Sequence, residues 1–291
     1  MCGVAAILSK NASEKVMKIL MSQNHRGTSS TGLSWVNDKE IHILKDILPP
    51  KDFNGRYSKE IKAIGTNIVM GHNRMPSKGM VTVENSHPFI GCDNKFSLMH
   101  NGTEHVYTEG EFLKAKGHQI IGQTDSEVLL HMFEELLESE GYNIVSALQK
   151  LNQVISVKQY GAILIQTKAG DIWGFGRSIV IVKDFNGTYV SSDIYGMAGL
   201  FYGKQKYVYE MGQDTLFNLT KNGIRFYGEY KVHRRVVKNG YSHEKKITSY
   251  YNSSVGNSIL DFKNDDDLFG EIEKKEKEKK SEDELWGEKY V

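Results

Sequence analysis

Hydrophobic positions along this chain come in short runs whose period switches between that of a strand and that of a helix. Residues 2–8, Cys2-Gly3-Val4-Ala5-Ala6-Ile7-Leu8, form a continuous apolar run that reads as a buried strand. Over 13–24, Val16, Met17, Ile19, Leu20 and Met21 recur at helical spacing behind Ser13, which predicts an amphipathic helix started by that serine. Gly32–Val36, Ile41–Leu44, Thr66–Gly71 and Phe96–His100 read as strands bounded by Gly, Asn, Asp or Pro, a pattern of antiparallel sheet rather than βαβ repeats. Thr124-Asp125-Ser126-Glu127 then stands at capping-box spacing before the apolar run Val128 to Leu137, the strongest helix start in the chain. A second helix is expected over about 143–155. Tyr160–Gln166, Asp171–Gly176, Ile179–Lys183 and Thr188–Ser192 follow as four strands joined by short Gly-bearing turns. Strands, then helices, then strands imply a layered α+β fold.

Beyond residue 200 the pattern weakens, with partial alternation in Ile224-Arg225-Phe226-Tyr227 and from Val232 to Val237. Lys231, Arg234, Arg235, Lys238, Lys245 and Lys246 interleave with Tyr241, Tyr250 and Tyr251. That segment reads first as a solvated strand edge and second as a contact for nucleic acid or another polyanion. From Asn264 the chain is a mixed-charge tail that ends in Leu285, Trp286 and Tyr290, disordered or transiently helical. The expected division is a domain over 1–230, a basic Tyr-rich extension over 231–263 and the tail over 264–291.

With 291 residues, 39% hydrophobic and 25% charged, the composition is that of an ordinary globular chain. A net charge of +1 supplies no global attraction to nucleic acid or acidic lipid, so nucleic acid is not an expected partner of the chain as a whole and any such binding would have to come from the local basic segment. The two cysteines, Cys2 and Cys92, cannot make a disulfide framework, and no CxxC or HExxH spacing offers a metal site, so no metal or cofactor is expected. With no signal-like N-terminus and no apolar run of about 18 residues, a cytoplasmic, non-membrane location is expected.

Cys2 carries the most chemistry. Removal of Met1 would put a thiol and a free α-amine on one residue, and an amine of pKa near ~8 can accept a thiol proton where a lysine mostly cannot. The structural alternative is a buried cysteine that only starts a strand. Nucleophilic attack on an amide also needs oxyanion donors and groups that hold the substrate. Gly71-His72-Asn73-Arg74-Met75-Pro76-Ser77 places Arg74 directly after a predicted strand, where its guanidinium could clamp a carboxylate or merely join a surface ion pair. His100-Asn101-Gly102-Thr103 ends a strand, where the Asn101 amide and the Gly102 N–H could meet an oxyanion or simply make a hairpin turn. Asp125 could hold an ammonium group or serve as a favourable acid in a helix's first turn.

Taken together and in order, Met1-Cys2-Gly3-Val4, His25-Arg26-Gly27-Thr28-Ser29-Ser30-Thr31-Gly32, Gly71-His72-Asn73-Arg74, Asn85-Ser86-His87-Pro88-Phe89, His100-Asn101-Gly102 and Thr124-Asp125-Ser126-Glu127 resemble the class II glutamine amidotransferases, which are N-terminal-nucleophile hydrolases. The likeness covers about residues 2–195. It implies a four-layer αββα sandwich of two antiparallel sheets flanked by helices. It further implies Cys2 as nucleophile with its own α-amine as base, and Asn101 with Gly102 as oxyanion hole. By the same likeness Arg74 and Asp125 would take the α-carboxylate and α-ammonium of L-glutamine. Arg26 and Gly27 would lie beside the nucleophile, and Ser77 with Gly102 would help line the pocket. Met75-Pro76-Ser77-Lys78 stands where the aminosugar-synthase branch has Trp-Ala-Thr-His, and Ser29 where many members have Asp, which argues against that branch.

About 60–90 residues follow the hydrolase part, too few for a sugar-isomerase pair, a phosphoribosyltransferase or an ATP-pyrophosphatase domain. No SGGxDS-like or GxxxxGK[ST] phosphate loop is present. The expectation is a stand-alone glutaminase that supplies ammonia to a separate synthase subunit. Two alternatives are a γ-glutamyl amide hydrolase, whose relatives tend to begin Met-Cys-Arg where this chain has Gly3, and a catalytically silent binding subunit.

Overall fold

Alternation inside the first apolar run decides the layering. In the computed structural model, which describes residues 2–155, 161–197, 200, 206–212, 214–238 and 241–245, strand β1 (Gly3–Ser9) sends Val4 and Ala6 to one face and Ala5 and Ile7 to the other. Both faces are buried, so the strand reads as one continuous apolar run. All described residues fall within one compact unit, Met1–Asn252.

The first half of the chain continues with α1 (Ala12–Ser22), a 3-10 turn (Asn24–Arg26), β2 (Ser30–Asn37), β3 (Glu40–Asp46), α2 (Pro50–Arg56), α3 (Ser58–Ala63), β4 (Ile68–Arg74), β5 (Phe89–Ile90) and β6 (Phe96–Asn101). Helices α4 (Tyr107–Ala115), α5 (Asp125–Ser139) and α6 (Ile144–Val154) come next. Strands β7 (Ala162–Thr167), β8 (Ile172–Phe175), β9 (Val180–Asp184) and β10 (Gly187–Ser191) lead to a short helix, Ile194–Met197. Strands β11 (Lys206–Met211), β12 (Leu216–Thr220), β13 (Gly223–Tyr227), β14 (Tyr230–Lys238) and β15 (Tyr241–Lys245) complete the described chain.

These strands form two sheets with antiparallel pairing. One has nine strands in the order β15-β14-β11-β9-β10-β1-β4-β2-β3, and the other has six in the order β13-β12-β8-β7-β6-β5. Val4, Ala6, Met70, Ile181 and Val190 of the first sheet meet Met99, Leu164, Ile172, Phe217 and Leu219 of the second in a shared core. Helices α1 to α3 cover the outer face of the nine-stranded sheet through Val16, Leu20, Phe53 and Ile61, and α4 to α6 cover the other sheet through Leu113, Phe133, Leu148 and Leu151. The result is the αββα sandwich. Each fully buried Leu or Phe in these layers contributes about 1.5–3 kcal/mol of transfer free energy.

Several expectations change on contact with the structure. Ser13 does not start α1: the helix is preceded by Asn11 in a left-handed conformation, and the buried Ser13 hydroxyl donates to the Ile61 carbonyl at 2.8 Å. Thr124 does cap α5, accepting from the Glu127 amide at 3.4 Å. The Glu127 carboxylate does not complete a capping box, because it accepts instead from the amides of Ile121 and Gly122 at 3.0 and 2.6 Å. The four strands between 160 and 192 are not one meander. β7 and β8 pair in the smaller sheet, β9 and β10 in the larger, and the chain crosses between sheets after Gly176. β4 runs through to Arg74, so that residue ends the strand rather than following it. Lys231, Arg234, Arg235, Lys238, Tyr241 and Lys245 lie on β14 and β15, at one edge of the nine-stranded sheet. Tyr160, Lys246, Tyr250, Tyr251 and the tail over 264–291, with Leu285, Trp286 and Tyr290, lie outside the described residues. Among those described, no helix is long and apolar enough to cross a membrane.

Candidate active site

The site is assembled from strand ends. Residue pairs Gly3↔Asn73 and Ser30↔Arg74 align the entrance of β1 with the exits of β4 and the start of β2, while β6 of the opposite sheet ends at Asn101. Close packing at this junction depends on Gly3, where an added Cβ would stand 2.1 Å from Asn73 Oδ1 and 2.4 Å from Gln23 Oε1. Asn73 Nδ2 donates to the carbonyls of Gln23 and Gly27 at 3.0 and 2.9 Å, tying the 3-10 turn and its exit against β4.

Cys2 is buried at this entrance. Its carbonyl accepts from Arg26 Nε at 3.0 Å, and its nitrogen donates to Asn101 Oδ1 at 3.2 Å. The sulfur lies 3.4 Å from both the amide N and the carbonyl O of Met75. Burial pushes the Cys2 thiol up, opposed by the Met75 hydrogen bond and by the positive charges of Arg74 and Arg26. A thiol so placed keeps its proton until a base removes it.

With Asn101 Oδ1 engaged by the Cys2 nitrogen, the amide is fixed in orientation, and Asn101 Nδ2 is buried without a hydrogen-bond partner among the described residues. A buried donor costs about 1–3 kcal/mol while it stays unpaired, and an arriving acceptor would remove that cost. Gly102 follows at the edge of the same cleft.

That cleft is lined by Cys2, Arg74, Ser77, Lys78, Gly102 and Asp125. Two of the five guanidinium N–H groups of Arg74 go to the carbonyls of Met80, at 3.0 Å, and Lys78, which wraps the 75–80 loop around it. Burial lowers the Arg74 pKa, and the neighbouring Cys2 and Asp125 oppose this. Thr103 Oγ1 donates to Ser77 Oγ at 3.0 Å and Lys78 Nζ donates to the Glu104 carbonyl, pinning the loop across the cleft. Asp125, in the first turn of α5, accepts from the Glu104 amide at 2.6 Å. Arg26 and Gly27 do not line the cleft. They are held beside Cys2 by hydrogen bonds, Arg26 to the Cys2 carbonyl and Gly27 to Asn73.

Sequence reasoning missed the wall behind the cleft. His72 and His87 stack with ring centroids 3.9 Å apart, His72 Nε2 lies 3.1 Å from the His100 carbonyl, and His100 Nδ1 lies 3.0 Å from Ser126 Oγ. All three sit inside the quoted motif blocks, but nothing in one sequence says that rings 13 to 28 residues apart meet. Burial lowers all three pKa values, that of His72 from 6.5 to about 3, so the rings are neutral. Neutral rings add no positive charge beside Arg74.

The same burial links stability to pH. Each ring takes up a proton near pH 6.5 in the unfolded chain but resists it when folded, so below that pH the unfolded state binds more protons. The stabilisation is complete above about pH 6.5 and is lost as pH falls toward 3, on the order of 5 kcal/mol for His72 alone. Denaturant midpoints measured from pH 7.5 to 4 should fall across this window, with a shallower slope in His72→Gln. Equal slopes in the two proteins would contradict the assignment.

Two antiparallel sheets packed face to face between helices, with a thiol at the entrance of the first strand, are the N-terminal-nucleophile hydrolase fold that the resemblance implied. The sequence profile of the class-II glutamine amidotransferases matches residues 1–163, more than half of the chain, and the chain belongs to that family. Glutamine-fructose-6-phosphate aminotransferase (isomerizing) from Streptococcus pyogenes serotype M6 is 28% identical over 176 residues, which are 59% of this chain and 28% of that protein. The protein of the same name from Sulfolobus acidocaldarius is 28% identical over 221 residues, 73% of this chain and 36% of that one. Glutamine phosphoribosylpyrophosphate amidotransferase from B. subtilis shares the fold with a TM-score of 0.63 at 20% identity, over 78% of this chain and 49% of its own. The chain thus spans about a third of the length of these curated relatives or less.

Proposed function

We propose that this domain hydrolyses the side-chain amide of L-glutamine through a γ-glutamyl thioester on Cys2 and supplies the ammonia to a separate synthase. The observation that carries the reading is Asn101, whose oxygen holds the Cys2 nitrogen while its buried Nδ2 donor has no described partner. Removal of Met1 frees the α-amine that takes the Cys2 thiol proton. The sulfur attacks the carboxamide carbon, and the oxyanion is met by Asn101 Nδ2 and the Gly102 N–H. The proton then passes to the leaving nitrogen and ammonia departs. Water attacks the thioester, the amine takes its proton, and glutamate leaves as the thiol is restored. Arg74 and Asp125, both in the lining of the cleft, hold the α-carboxylate and α-ammonium and keep the carboxamide within reach of sulfur.

Ammonia release from L-glutamine against larger γ-glutamyl amides tests the reaction. Preference for free glutamine is expected, and preference for the larger amides would replace this reading with γ-glutamyl amide hydrolysis. Asp125→Asn should raise the glutamine KM by about 10- to 100-fold, the worth of one charge-assisted contact, and change kcat only a few-fold. A kcat effect with KM unmoved would remove Asp125 from substrate binding.

A further inference from the structure

Farther along α5 than Asp125, four metal-ligating side chains from three segments converge. Cys92 comes from the turn between β5 and β6, His118 from the loop after α4, and His131 and Glu134 from one face of α5. Cys92 Sγ lies 3.4 Å from His118 Nδ1 and 3.5 Å from His131 Nδ1, and the two Nδ1 atoms are 3.2 Å apart. Glu134 Oε2 lies 2.8 Å from His131 Nδ1 and 3.5 Å from His118 Nδ1. All four ligand atoms fall within 4.8 Å of one another. Bonds of about 2.0–2.3 Å to a tetrahedral zinc-type centre put neighbouring ligand atoms about 3.3–3.7 Å apart, close to the 3.2–3.5 Å separations and wider than the His131–Glu134 contact.

We propose that Cys92, His118, His131 and Glu134 form a tetrahedral site for one divalent transition-metal ion of the zinc class. The surrounding contacts orient two of the four groups, His118 and Glu134, for that task. His118 Nε2 is 3.0 Å from Glu135 Oε1, a pairing that places the ring proton on Nε2 and leaves the Nδ1 lone pair for a cation. Lys116 in turn holds the Glu135 carboxylate. The Cys92 amide donates to Glu134 Oε1 at 3.0 Å, which turns Oε2 toward the other three ligands. Gly91 makes room for this, since a Cβ there would stand 2.0 Å from Glu134 Oε1. His131 is buried and Cys92 exposed, so the site has a fixed floor and an entry path. Four protein ligands leave no open position, which makes the site structural rather than catalytic. It clasps α5, whose first turn carries Asp125, to the β5–β6 turn and so to the strand that ends at Asn101.

The linear sequence hides this site because the ligands are separated by 26, 13 and 3 residues, with no CxxC or HExxH unit among them. Titration of the full-length, metal-stripped protein with Co(II) tests it, because tetrahedral cobalt with one thiolate gives intense visible bands and a sulfur-to-metal charge-transfer band. The wild type should develop both at one equivalent per chain, and zinc should bleach them at one equivalent. Cys2→Ala should keep the charge-transfer band and Cys92→Ser should lose it, which assigns the sulfur between the chain's two cysteines. Glu135→Gln should retain the spectrum but weaken cobalt binding about 10- to 100-fold. Wild-type protein with native circular dichroism that gives no stoichiometric cobalt spectrum, or a charge-transfer band that follows Cys2, would overturn the proposal.

Discussion

Replacing Cys2 by alanine is expected to lower ammonia release from L-glutamine by about 10⁶-fold, the scale on which nucleophile removal acts in other covalent hydrolases. The variant keeps its α-amine, its oxyanion donors and its substrate clamp. Little of the site's packing changes, because the sulfur's contacts are the two 3.4 Å approaches to the Met75 backbone. The loss should therefore be one of kcat, with glutamine still bound, as equilibrium dialysis with labelled glutamine would show. Residual turnover within ten-fold of wild type would mean that another group attacks the amide.

The second large effect is at Asn101. Asn101→Ala should cost about 10²–10³ in kcat, roughly 3–4 kcal/mol of transition-state stabilisation, with a much smaller change in KM. Because Asn101 Oδ1 also accepts from the Cys2 nitrogen, alanine removes two contacts at once. Asn101→Asp separates them, since aspartate keeps the acceptor for the Cys2 nitrogen but has no donor for an oxyanion. The aspartate variant should be no more active than the alanine variant. Recovery of activity in Asn101→Asp would show that the residue serves to hold the amine and not to stabilise the tetrahedral intermediate.

These two residues show what one sequence discloses and what it withholds. β1 and α5 were legible because their patterns are long and strong: a continuous apolar run for a strand buried on both faces, and a Thr124 cap before a helical repeat. Helices α2 and α3 were not, because only Pro50, Phe53 and Ile61 of these short elements are buried, too few to show a period. Helix α4 buries only Gly110 and Leu113. The crossing of the chain from β8 to β9 was hidden because a short Gly-bearing turn is the same local signal whether the next strand pairs with its predecessor or joins the opposite sheet.

For the site, the residue types could be named because they cluster in short blocks at the ends of strands. Their convergence could not be derived, since it is made by pairing between β1 and β4 and by contact between the two sheets. The buried histidine wall and the four-ligand cluster were invisible for the same reason. Each brings together side chains from three or four segments whose spacing carries no local signature.

The central claim, that Cys2 is a processed N-terminal nucleophile that reads glutamine, is tested most directly by intact mass of the purified protein before and after 6-diazo-5-oxo-norleucine, with Cys2→Ala as control. The account predicts a chain lighter by one methionine that gains a single adduct, located on Cys2 and absent from the alanine variant. A chain that retains Met1, or one that is processed yet takes no adduct on Cys2, would contradict it.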